Sequence, residues 1–221
     1  MRYPQISYAP LHRKLLSINL DKNLDACMQL KITLKLKFHL DAKLVNEENV
    51  AEGLEWLLQD AQEKDVFLLH ICGNSTKFDL IHILDNLPSK VTMFVMWENG
   101  TELGLRYKFL DESKGLDKPS KTLHGLYNND IVWNPQIMET ENNKISETCG
   151  TSIVLNCGKG LTKMLHFIFS TTNSYTFNFA MLMAKLKSLQ ACNKFVGNIF
   201  IETSKYIDLE VPIGRFLSAP L

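Results

Sequence analysis

No C-x-x-C pair, G-x-G-x-x-G loop, G-x-S-x-G elbow or H-E-x-x-H helix occurs anywhere in this chain, and 24 basic side chains against 24 acidic ones leave it without net charge. Each absence removes a class. The missing motifs leave no ready-made dinucleotide, serine-hydrolase or zinc-peptidase site. The zero balance argues against a generic nucleic-acid coat, although local patches can still bind. No stretch approaches the roughly 18 apolar residues of a membrane span, and Met1-Arg2-Tyr3-Pro4-Gln5 opens no apolar run of a signal peptide. The expectation is an intracellular protein of cytoplasm or nucleus.

The five cysteines, Cys27, Cys72, Cys149, Cys157 and Cys192, form an odd set without metal-ligand spacing. Free, buried thiols are therefore expected rather than disulfides or zinc. Six histidines stand singly, so no metal and no cofactor is expected. His70, inside an apolar run, reads as a satisfied core residue; His82, three residues after Asp79, reads as part of a solvated helix pair.

What is present is an ordinary globular composition, 45% hydrophobic and 22% charged over 221 residues. The reading is a single α+β domain over residues 1–221, with a mixed or mostly antiparallel sheet and helices on one face. Residues 28 to 40 alternate without a break, apolar at every even position from Met28 to Leu40. That predicts a long strand with Lys31, Thr33, Lys35, Lys37 and His39 on its outer face. Asn46 then caps a helix with the stripe Val50, Leu54, Leu57, Leu58 and Ala61. Val66 to Cys72 reads as a buried strand, and Thr76 with Asp79 as the capping box of a short helix. Val91–Trp97 and Leu103–Phe109, separated by Asn99-Gly100, predict a hairpin.

Residues 111–150 turn polar and lose periodicity, which predicts an insertion or partner-docking loop with Tyr127 and Trp133 as contact points. Ser152–Asn156 reads as a strand, Met164–Phe169 as an apolar run of either type, and Phe179–Leu189 as a helix. Two short strands, Ile199–Ile201 and Ile207–Val211, close the pattern.

Two features offer chemistry. Gly158-Lys159-Gly160-Leu161-Thr162 follows a strand, and its glycines would let backbone N–H groups and Thr162 converge on an anion; the Walker A order, with a hydroxyl next to the lysine, is absent. Lys31, Lys35, Lys37 and Lys43 form a basic surface that could meet a phosphate backbone.

Leu30-Lys-Ile-Thr-Leu-Lys-Leu-Lys-Phe-His-Leu-Asp-Ala-Lys-Leu-Val-Asn-Glu-Glu-Asn49 resembles the start of the transducer-like region of topoisomerase VI B-like subunits of the meiotic break-forming complex. The order of strand, acidic helix and buried strand is similar to that of viral matrix proteins of the rhabdovirus type. Tyr3-Pro4-Gln5-Ile6 and Tyr8-Ala9-Pro10-Leu11 resemble the tyrosine-based late motifs of such proteins, without their basic amino-terminal tail. Both resemblances imply an assembly role. The expected function is a non-enzymatic scaffold or assembly subunit of a larger complex, with protein partners and nucleic acid close by. The alternative is a small enzyme or ligand-binding protein with a phosphate site at Gly158–Thr162.

Overall fold

Among the described residues eight strands and five α-helices follow one another as β1 (Arg13–Asn19), α1 (Leu24–Phe38), β2 (Asp41–Asn46), α2 (Val50–Leu58), β3 (Val66–Cys72), α3 (Leu80–Asp85), β4 (Thr92–Glu98), β5 (Tyr107–Asp111), β6 (Pro135–Glu139), β7 (Thr151–Cys157), α4 (Leu161–Thr171), α5 (Phe179–Asn193) and β8 (Phe200–Thr203). This computed structural model describes residues 12–21, 24–73, 79–111, 135–140, 144–172, 177–193 and 198–213. Tyr127, Trp133, Thr76 and the two tyrosine motifs lie outside the described residues.

The strands form one mixed sheet in the order β2-β1-β3-β4-β7-β8-β5-β6. The first five are parallel, and β8, β5 and β6 continue antiparallel. Winding begins at β1, steps outward to β2, then reverses through β3 and β4. Right-handed crossovers in opposite directions put their helices on opposite faces of a sheet. Thus α1, α4 and α5 cover one face with Leu15, Leu68, Phe94 and Ile153, while α2 and α3 cover the other with Leu16, Phe67, Val95 and Val154. The helices expected on a single face occupy both.

The predicted long strand at residues 28–40 is a helix over most of its length. Along α1 the residues fall into four rows of i, i+4 spacing. Ala26, Leu30, Leu34 and Phe38 form the buried row. Leu24, Met28, Ile32 and Leu36 form the row on the opposite side, and each is exposed. Two residues correspond to about 200° around a helix, so a period-two apolar pattern becomes two opposed apolar rows. The residue types agree with the helix: Leu, Lys, Met, Gln and Ala dominate, and only Ile32 and Thr33 are β-branched.

The predicted hairpin does not form. β4 pairs with β7, and β5 lies three places away in the sheet. Asn99 has φ +60°, and its N–H reaches the Cys157 carbonyl instead of closing a turn. Gly100 sits so close to Asn156 Oδ1 and the Trp97 ring that a Cβ would stand 2.3 and 2.6 Å from them. The glycine is there for close approach, and the chain then crosses to the far side of the sheet.

Of the two predicted closing strands only the first is one, as β8; residues 207–211 carry no strand. The short helix α3 starts from Asp79, whose carboxylate accepts the His82 N–H at 3.2 Å. The strand at Val66–Cys72, the strand at Ser152–Asn156 and the helix from Phe179 stand where the patterns put them, and Met164–Phe169 belongs to α4. A helix does follow Asn46, but Asn46 makes no side-chain cap and a 3-10 turn over Glu47–Asn49 precedes α2. Within residues 111–150, β6 adds the last strand, and Ile145 and Cys149 are buried against the α2/α3 face. Among the described residues no helix is long and apolar enough to cross a membrane.

Candidate functional site: a buried polar relay at the strand ends

Open α/β sheets hold ligands beyond the carboxyl ends of their parallel strands, where the winding reverses. Here that place lies between β1 and β3. On the α1/α4/α5 side each central strand runs apolar and ends polar: Leu15, Ser17, Asn19 on β1; Leu68, His70, Cys72 on β3; Phe94, Met96, Glu98 on β4. Parallel register sets Ser17 beside His70 and Cys72 beside Glu98.

These side chains form one hydrogen-bonded line. The Ser17 Oγ lies 2.9 Å from His70 Nδ1, and His70 Nε2 lies 3.0 Å from Thr162 Oγ1 on α4. The Thr162 hydroxyl in turn donates to Glu98 Oε2. A carboxylate only accepts, so the single Thr162 proton points at Glu98 and His70 must donate through Nε2–H. Its Nδ1 then accepts from Ser17. All four residues are buried. Burial holds the His70 pKa down at about 4, with the Glu98 charge pulling it partly back.

Glu98 also holds the amino end of α4. Its carboxylate accepts the Gly160 N–H at 2.7 Å and the Thr162 N–H at 2.9 Å. Gly160 is the residue before the helix and has φ +98°, a conformation that favours glycine. The N–H groups that Gly158–Thr162 would offer an anion thus already face one, the chain's own carboxylate. Lys159 is exposed beside them.

The nearby thiols are poorly placed for nucleophilic work. Cys72 donates to Glu98 at 3.8 Å and Cys27 to Asn19 Oδ1 at 3.6 Å. The Cys27 pKa is raised by its hydrogen bond with Cys72 and by burial, and burial with the Glu98 charge pushes Cys157 up to about 12. Thiols kept protonated are inert, and Cys72, whose pKa the hydrogen bond with Cys27 lowers, is fully buried away from any substrate. Both His70 ring nitrogens are engaged by hydroxyls, so this imidazole is not free to act as a base for them. Among the described residues no three His, Cys, Asp or Glu side chains gather as metal ligands.

The four lysines of the expected basic surface are dispersed. Lys31 and Lys35 share one row of α1. Lys37 turns toward α4, donating to the Phe169 and Thr172 carbonyls. Lys43, on β2, pairs with Glu52 at 2.6 Å. That pair lines an open cleft of about 420 Å³ at the sheet edge, with Asn19, Leu24, Asn46 and Asn49 among its other walls.

Sequence reasoning named Thr162 for an anion turn and passed over Ser17 and Glu98 as the residues it joins. Their common signal is a polar residue near the carboxyl end of an apolar strand or in the first turn of the helix after it. No family model matches the chain, and no curated protein matches it in sequence.

Proposed function

We propose that the chain is a non-enzymatic scaffold or assembly subunit of a larger protein complex. The observation that carries this reading is Glu98. At the carboxyl ends of the parallel strands, one strand beyond the point where the winding reverses, this carboxylate is 2% exposed and already accepts from the amino end of α4. The relay from Ser17 to Glu98 is likewise spent on joining β1, β3, β4 and α4, with no member left facing solvent.

An intracellular setting accords with Cys27, Cys72, Cys149 and Cys157 all being free. Nucleic acid draws less support than protein as a partner, because only two of the four lysines share a surface row.

The test is a thermal-shift titration with nucleotides, inorganic phosphate and short single- and double-stranded nucleic acids, on the wild type and on Lys159→Ala. The expected result is no saturable shift with any of them. A saturable stabilisation by a nucleotide or phosphate that disappears in Lys159→Ala would overturn the scaffold reading in favour of a ligand-binding one.

A further inference from the structure

The strongest unclaimed feature is the outer row of α1. Leu24, Met28, Ile32 and Leu36 are 53, 37, 46 and 69% exposed, on the side of the helix opposite its buried row. At 1.5 Å per residue the row runs about 18 Å, the length of more than three helical turns. Single exposed apolar residues are commonplace, but four consecutive rungs on one helix form a contiguous patch of the kind that marks an interaction surface. The helix does not need this row to fold, since Ala26, Leu30, Leu34 and Phe38 already attach it to the core.

The surroundings of the row select its partner. On the α4 side it is bordered by Thr33, which hydrogen-bonds His166 at 3.0 Å, and α4 itself presents Phe167 at 56% exposure. On the other side the i, i+4 row carries Lys31 and Lys35 after the buried Cys27. Asp25 is the one acidic residue of α1 and sits in its first turn, where the helix dipole favours it. At the amino end Leu24 also lines the open cleft beside Lys43 and Glu52, where a side chain of a bound partner can anchor. An apolar ladder with a basic rim complements a helix that is apolar on one face and acidic beside it. A second copy of this chain fits badly. Laid antiparallel on the same ladder, its Lys31, one residue from the ladder's midpoint, would meet the first copy's Lys31.

We infer that the outer face of α1 is the docking surface for an acidic amphipathic helix of another protein. The inference rests on the scaffold reading above and names its partner class. Two synthetic helical peptides with the same leucine face, one flanked by glutamates and one by lysines, test it by fluorescence anisotropy against the full chain. Acidic peptide binding is expected, weakening at high salt and falling at least tenfold in Ile32→Asp/Leu36→Asp. In Lys31→Glu/Lys35→Glu the preference should switch to the basic peptide. Ile32, Lys35 and Leu36 are exposed and Lys31 is half-buried, and circular dichroism melts confirm that the variants are folded.

No binding of the acidic peptide overturns the inference, as does equal binding of both peptides or binding that ignores Ile32 and Leu36. Recruitment to phosphatidylserine vesicles without peptide binding overturns it in favour of a membrane surface. A concentration-dependent dimer abolished by Ile32→Asp/Leu36→Asp overturns it in favour of self-association. Any of these with the chain still inert to nucleotides removes only the docking surface; a Lys159-dependent nucleotide shift removes the scaffold reading itself.

Discussion

His70 shows how a side chain with a catalytic reputation becomes structural. Its two nitrogens are consumed by Ser17 and Thr162, it is 1% exposed, and its position inside Val66–Cys72 made a satisfied core residue the natural reading of the sequence. What the sequence could not convey was the other half of the relay, because Thr162 is 92 residues away and Glu98 ends a strand that looked like half of a hairpin. The consequence is a pH dependence with a definite sign. An unfolded histidine takes up a proton near pH 6.5, whereas His70 in the fold resists until about pH 4. Between those values the unfolded chain binds more protons, so stability falls as the pH drops through that window, by about 3 kcal/mol if His70 acts alone. The ring faces Glu98, whose charge opposes the shift, and the hydroxyls of Ser17 and Thr162, which do not titrate in this range. Urea unfolding of wild type and His70→Gln at pH 7 and pH 4.5 provides the check. The variant should be less stable at pH 7 and should lose less on acidification; an identical acid loss in both proteins would show that His70 is not the sensor.

Among the elements, α1 carries the clearest lesson about what alternation can and cannot say. A strict period of two fixes which residues lie two and four apart, and those offsets serve a strand's face and a helix's row equally well. The pattern therefore identified Leu30, Leu34 and Phe38 as core residues correctly, and misassigned Met28, Ile32 and Leu36, which a strand would have buried with them. Helix-forming residue types were the tie-breaker in the chain itself. By contrast, β3 and β7 were legible because a run of seven residues bounded by glycine is too short for a core helix, and α5 because its apolar spacing fits no strand. A pair of truncations separates the two geometries of α1. Leu34→Ala should cost about 2–5 kcal/mol, the range for a cavity in a packed core, while Ile32→Ala should stay within about 0.5 kcal/mol. A strand with both residues on its inner face would lose comparable amounts from each, and denaturant midpoints for the two variants distinguish the cases.

At the scale of the whole molecule, the question is what joins the parallel half of the sheet to the antiparallel half. β8 lies between β7 and β5, and its Glu202 is fully buried. That carboxylate accepts the N–H groups of Leu103, Gly104 and Leu105 at 2.9, 2.8 and 3.3 Å and an Asn156 amide proton at 3.0 Å. One acidic side chain thus satisfies the stretch of chain that leaves β4 and crosses to β5, which explains why Asn99-Gly100 need not close a hairpin. No local pattern could reveal it, since Glu202 and Leu103 are 99 residues apart and a glutamate in an alternating strand reads as its solvated side. Burial raises the Glu202 pKa while the three N–H donors hold it down in part. A raised acid contributes stability that is present below its unfolded pKa and is lost as the pH rises through the folded one, the reverse of His70. Removing the carboxylate is a different matter, because three backbone donors are then left without an acceptor in a water-poor setting, each at a penalty of about 1–3 kcal/mol. Glu202→Ala should accordingly lower stability by about 3 kcal/mol or more. In hydrogen exchange the amides of residues 103–105 should become fast well before those of β3 and β4, as the crossing segment opens ahead of the parallel half. Unchanged protection at those three amides, or a stability loss under about 1 kcal/mol, would mean that β7–β8 pairing alone holds the two halves together.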